Sequence, residues 1–405
     1  MNDSSSIVRS FLSRTDPAEW ATAPVVPERL ESLVETLDVI DVNGARLPAL
    51  PPWIGQFRHL HRLNISRNSL SSLPSSLGSL LLLKELIADH NELTTLPLAI
   101  GKLRHLRVLD LEGNRLTTLP PTIGNLSSVK RILLDDNCLT ALPPSIGNLS
   151  RLKCLTFCRN QISTLPPSIS NLSSLKTLMG AFNKFTSLPS FLPPVECLVF
   201  CHNQLTTLPP EMEKMTSLKQ LVLSENPSMV LPPFVEKLEQ LRTLDLGETG
   251  LSEVPRLIES LMDLRYLRLC DNRIATLPSF LSYLFDLKEI VIFGNLLTTL
   301  PSFLGNLTSL RTLDVSENLL TTLPDTLAHL PLLETLFIGN NQLTVLPPWL
   351  PLLPELQVLG IAHNPFSEIL SVVSKLDDVL LTVDQRQMSL LDEGTRERLY
   401  ITVSP

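Results

Sequence analysis

Two pairs of cysteines, Cys154/Cys158 and Cys197/Cys201, share a C-x-x-x-C spacing that invites a zinc or redox reading, while Cys138 and Cys270 stand alone. Zinc holds its thiolate ligands about 2.3 Å away, and a disulfide needs Cα atoms within about 7 Å. Four residues of extended chain span about 13 Å, so if these pairs lie on strands neither chemistry is available to them. Free thiols in a reducing compartment are expected instead. His90, His202 and His363 occupy one recurring position of distant segments, too far apart to cooperate, and read as surface histidines. No phosphate-binding glycine loop, nucleophile elbow, H-E-x-x-H helix or kinase signature set occurs. The expectation is therefore a chain with no catalytic residue, no metal, no cofactor and no small-molecule substrate.

Charge narrows the partners. A formal net charge of −8 with no continuous basic run argues against nucleic acid or an anionic membrane surface, both of which reward clustered Lys and Arg. Met1 to Arg14 is polar and Ser-rich with only short apolar pieces, Ile7-Val8 and Phe11-Leu12, and lacks the apolar core of a secretory signal. The longest apolar run, Cys197 to Cys201, falls far short of the roughly 20 residues that a membrane helix requires. These readings together predict a cytoplasmic protein.

The elements that must position any functional residue announce themselves by repetition. The phrase L-x-x-L-x-L-x-x-N-x-L-x-x-L-P-x-x-L/I-x-x-L opens at Leu37 and returns mostly every 23 residues, at Leu60, Leu83, Leu106, Val129, Leu152, Leu175, Val195, Leu218, Leu241, Leu264, Leu287, Leu310, Leu333 and Leu356. Within it, L-x-L places two leucines on one side of a strand and the residues between them on the other. The ninth slot is Asn in thirteen of the fifteen repeats, where a buried amide can bond the backbone as the chain leaves the strand. The proline after the fourteenth slot, Pro51 in the first repeat, fixes φ and forbids further strand. No repeat can cover its own apolar face, so stacking is obligatory. An α/β solenoid is predicted: a horseshoe with a parallel concave sheet and an irregular or short-helical convex side. Its expected organisation is an N-terminal helical cap over 1–36, with a helix opened by Pro27, then the array over 37–366. A C-terminal cap and tail fill 367–405, with helical spacing at Ser367 to Lys375, a strand at Val379 to Val383 and a polar tail near Asp392 to Arg398.

The repeat's close, as in Pro121-Thr122-Ile123-Gly124-Asn125-Leu126, resembles the typical intracellular leucine-rich-repeat family over nearly the whole chain. It is most similar to plant Ras-group-related repeat proteins and animal Ras-pathway scaffolds, and similar too to the repeat domains of bacterial effectors delivered into host cells. The resemblance implies protein binding. Some such effectors carry a ubiquitin-ligase domain with a catalytic cysteine after the repeats, but only about 39 residues follow here and none is a cysteine.

The third, fifth, seventh and eighth slots point away from the core and can be read as a surface. In the early repeats they hold Glu85, Asp89, Asp110, Glu112, Asp135 and Asp136, offset by Arg62, Arg67, Arg131 and Arg159. From the fifth to the ninth repeat they turn apolar: Leu133, Cys154, Thr156, Cys158, Met179, Ala181, Phe182, Cys197, Val199, Cys201 and Val222. An exposed patch of this kind predicts a protein partner, with Leu133, Met179, Phe182, Val199 and Val222 as its contacts. Tyr266, Arg268, Val291, Phe293 and Phe337 form a second candidate of hot-spot residue types. The expected function is a protein-interaction scaffold in intracellular signalling, with a host-targeted effector or a non-catalytic subunit of an enzyme complex as alternatives.

Overall fold

The computed structural model describes residues 3–16, 22–23 and 25–404. The chain forms two compact units, Met1–Gln204 and Leu205–Pro405. In the first, strands β1 (Val39–Asp41), β2 (Arg62–Asn64), β3 (Glu85–Ile87), β4 (Val108–Asp110), β5 (Arg131–Leu133), β6 (Cys154–Thr156), β7 (Thr177–Met179) and β8 (Cys197–Val199) pair in parallel in chain order. The second holds β9 (Gln220–Val222), β10 (Thr243–Asp245), β11 (Tyr266–Arg268), β12 (Glu289–Val291), β13 (Thr312–Asp314), β14 (Thr335–Phe337), β15 (Val358–Gly360), β16 (Leu380–Val383) and β17 (Tyr400–Val403), paired in the same way. Each unit is thus a solenoid segment. Every strand from β1 to β15 falls on slots three to five of a repeat, which is where alternation put it. The register follows the repeat, Leu63 opposite Leu86 and Leu313 opposite Leu336.

The return segments are 3-10 turns such as Pro121–Asn125, entered through Pro120 in an extended conformation. Within one repeat Leu106, Leu109, Leu111, Leu116, Leu119, Ile123 and Leu126 are all buried, so the leucine slots form the core between the strands and the turns.

The ninth-slot asparagine connects the coils. Asn114 Nδ2 donates to Leu111 O (3.0 Å) and Glu112 O (3.2 Å) in its own turn and to Ala88 O of the preceding repeat (3.0 Å). Its Oδ1 accepts from Leu93 N, again in the preceding repeat, at 3.0 Å. The same four bonds recur at Asn318 in the second unit. Thr249, which fills one slot that lacks Asn, gives its hydroxyl to Leu246 O alone among these acceptors. Beyond the array Gln387 takes the asparagine's part: it is buried and donates through Nε2 to Ile361 O (3.0 Å) and Asn364 O (3.3 Å).

The flanks carry more structure than the sequence suggested. The Ser-rich start forms a helix, Asp3–Arg14, whose Val8 and Leu12 are buried and whose Ser5 Oγ accepts from Asp41 N on β1. A short helix, Glu28–Glu31, follows Pro27. The stretch expected to be a polar tail is instead a helix, Glu393–Arg398, capped by Asp392 and leading into β17. Its charged residues are the exposed face of a capped helix, which composition alone does not separate from a solvated tail.

One slot-six position carries no side chain at all. Slot six of the 20-residue repeat that opens at Leu175 is Gly180, and the Phe157 and Phe200 rings of the repeats on either side meet across it with centroids 6.2 Å apart. A Cβ at Gly180 would stand 2.5 Å from Phe157 Cε2. Gly180→Leu restores the consensus yet should destabilise the chain by about 3 kcal/mol through overpacking. Asn114→Ala and the isosteric Asn114→Asp should each cost on the order of 3 kcal/mol: both take one donor from Ala88 O, Leu111 O and Glu112 O, and the first also leaves Leu93 N without its acceptor while the second sets a carboxylate against those carbonyls. Chemical denaturation of the three variants measures these losses.

Candidate protein-binding face

The fifth slot leaves the core on every strand, and the seventh and eighth follow in the turn. That turn is left-handed at the eighth slot of every repeat, from Gly44 (φ 66) through Phe182 (φ 54) and Glu317 (φ 51) to His363 (φ 59). Only three of these fifteen residues are glycine, so most repeats tolerate a conformation that costs a side chain about 1 kcal/mol. In return the eighth side chain projects beside the strands, in line with its neighbours. His90, His202 and His363 are residues of this row.

In the first unit Leu133, Met179 and Val199 occupy slot five of β5, β7 and β8, and all are half-buried. Phe182 departs from the open anchor that its position suggested. Its ring stacks on His202 with centroids 3.6 Å apart, and the Arg159 guanidinium lies 4.3 Å from its centroid. Two residues counted with this apolar surface are not on it: Thr156 is 6% exposed and Ala181 4%. Thr156 turns its hydroxyl to Asp135 (2.6 Å), and close strand spacing covers so small a side chain as Ala181. The patch is therefore narrower than the slot pattern implied.

The six cysteines form no disulfide and are half-buried. Burial, with the Asp135 carboxylate next in effect, pushes the Cys158 thiol up to about 12. Burial pushes Cys197 up to about 11. Neither is a thiolate at neutral pH, so neither is an activated nucleophile. Among the described residues no group of three or more His, Cys, Asp or Glu side chains could hold a metal ion. Nor is any helix there long and apolar enough to cross a membrane.

The second unit carries a groove of ≈ 550 Å³ on its strand face. Arg268, Val291, Phe293 and Phe337 line it, so the structure gathers four of the five residues in the second set of sequence candidates. Tyr266, 38% exposed on slot three of β11, and Val222, half-buried on β9, are not among its lining residues. What the sequence reading missed is the rim of carboxylates: Glu225, Asp245, Glu248, Asp271, Glu289 and Asp314. They stand in slots three, five and eight, so the same positional reading extended through these repeats would have found them.

Electrostatics makes this rim unusual. Arg268 Nε donates to Glu289 Oε1 at 2.7 Å, which raises the guanidinium's pKa and commits the groove's one lining cation. Burial raises Asp245, opposed by the Gly247 N–H that it accepts. Burial likewise raises Asp314, against hydrogen bonds from Ser316. Asp271 is raised by burial and then by the charges of Glu248 and Glu317. A gap follows in the eighth-slot row at Gly294 (φ 66), where a Cβ would lie 2.2 Å from Asp271 Oδ1.

Models of leucine-rich repeats match residues 59–80, 285–343 and 308–366, and a model of a leucine-rich repeat region matches 74–157. No curated protein matches. A leucine-rich-repeat protein of Leptospira interrogans of known structure is 34% identical, with 85% of this chain and 95% of that chain covered and a TM-score of 0.72. The functional domain of InlJ from Listeria monocytogenes is 22% identical, with coverage of 87% and 75% and a TM-score of 0.68. The ectodomain of the plant receptor kinase GASSHO1/SCHENGEN3 from Arabidopsis thaliana, solved with Casparian strip integrity factor 2, is 23% identical, with coverage of 93% and 57% and a TM-score of 0.64. This chain belongs to the leucine-rich-repeat family.

The raised carboxyls have a consequence for stability. A carboxyl whose folded pKa exceeds its unfolded value binds its proton more tightly when folded, so its ionisation opposes folding at neutral pH. The penalty is removed as pH falls through the folded pKa toward the unfolded value near 3.8. Asp245→Asn and Asp314→Asn should raise the thermal midpoint at pH 7, by an amount that shrinks as pH is lowered toward 3.8, as calorimetry over a pH series would record.

Proposed function

We propose that the chain is a non-catalytic scaffold that holds a partner protein on the outward faces of its strands, in the cytoplasm and in a signalling role. The supporting observation is a division of labour within each repeat. Leucines and asparagines are consumed by the frame, while slots five, seven and eight carry side chains whose identity the frame does not dictate. On the first unit these include Leu133, Met179 and Val199, half-buried beside the Arg159, Phe182 and His202 stack. Apolar and aromatic groups set among cations are residue types enriched where proteins dock. Thiols outside any disulfide and the 23-residue repeat support an intracellular setting.

The likeness to a bacterial leucine-rich-repeat protein favours a second reading, an effector-type protein directed at host proteins by the same surface. Both readings require that face. The Phe182→Glu/Val199→Glu double variant should therefore lose the partners that the native chain retains in a pull-down read by mass spectrometry, with circular dichroism and melting unchanged. Retention of the same partners would overturn the assignment of this surface.

A further inference from the structure

We propose that the groove of the second unit receives an extended cationic segment of a protein partner, in which two basic side chains flank an apolar one. The inference rests on the scaffold reading and specifies what one of its surfaces takes.

The floor and the rim ask for different chemistry. Val291, Phe293 and Phe337 offer apolar contact that is only half covered. Around them Asp245, Glu248, Asp271 and Asp314 have no ion-pair partner among the described residues, because the nearby guanidinium of Arg268 is engaged by Glu289. A wholly apolar occupant would desolvate these carboxylates without replacing their water. An acidic occupant or a phosphate backbone would be repelled. An occupant that brings cations to the rim and an apolar side chain to the floor satisfies both, and its positive charge offsets the burial and repulsion that raise Asp245, Asp271 and Asp314.

The spacing defines the segment further. Asp245 and Asp314 stand at the same register position of β10 and β13, three strands apart. At about 4.8 Å per strand the separation is about 14 Å, and an extended chain rising about 3.3 Å per residue covers it in about four residues. Arg268, on β11, and Val291, on β12, lie between them in that row; Arg268 is turned to Glu289, so an apolar side chain between two basic ones would meet the floor at Val291 and Phe293. A volume of ≈ 550 Å³ suits a few side chains, not a folded domain.

Panning a display library of random peptides of about twelve residues against the full chain at low salt tests the proposal. Enriched peptides should carry Lys or Arg about four residues apart around an apolar residue. They should bind the Asp245→Asn/Asp314→Asn variant roughly tenfold more weakly, at unchanged circular dichroism, and weaken as salt is raised from about 50 to 300 mM. The Phe182→Glu/Val199→Glu variant should bind them as the native chain does. A library that enriches nothing, peptides without basic excess, or basic peptides indifferent to Asp245→Asn/Asp314→Asn would each overturn the groove assignment. Peptides lost only on Phe182→Glu/Val199→Glu would overturn it too, while leaving the wider scaffold reading in place.

Discussion

A single coil of this chain cannot satisfy its own backbone. Each repeat strand leads into a turn that is left-handed at slot eight, and the carbonyls of slots six and seven within that turn face the asparagine of slot nine. The asparagine amide donates to both and, with the same nitrogen, to a carbonyl of the preceding repeat, as Asn341 does with Ile338, Gly339 and Val315. Its oxygen then takes an amide hydrogen of that neighbour, Leu320 N at 3.0 Å. Buried peptide groups without partners cost about 1–3 kcal/mol each, so this side chain does more than decorate the turn. It makes the folding of one repeat conditional on the next.

That condition also explains what the array tolerates. Bonds to the previous repeat usually span 21 and 26 residues, as at Asn160, but at Asn203 they span 18 and 23. The three missing residues come out of the return segment between Phe185 and Val195, which forms no 3-10 turn, while strand, turn and asparagine stay intact. Length can vary where nothing is locked to a neighbour.

The frame was legible because its signals are periodic and its partners are backbone atoms. Alternation located all fifteen repeat strands, and the asparagine slots named their own role. Features that depend on which side chains meet were not legible. Nothing in the phrase indicates that Gly180 leaves room for phenylalanines of the repeats before and after it, nor that Phe182 spends its faces on Arg159 and His202. The flanks stayed obscure for a related reason: Gln387 acts as an asparagine only because its longer side chain starts from a capped helix, Gln385–Ser389, outside the repeat pattern. Slots that point outward were identified correctly as a class, but exposure along the row depends on side-chain size. Strands about 4.8 Å apart cover an alanine and leave a methionine half open.

The same separation of roles bears on why the outward slots are so uneven. A frame held by leucine packing and amide bonds gains only one backbone hydrogen bond in the turn from the carboxylate at Asp110, Asp245 or Asp314, and burial outweighs it and raises all three. Glu112 is raised as well, by burial and by its neighbours Asp135 and Asp110. Such charges work against the folded state at neutral pH, so stability does not account for their presence. Proteins concentrate tolerated strain of this sort where a surface is used. By that argument the outward rows are where this fold spends the stability that its asparagines provide.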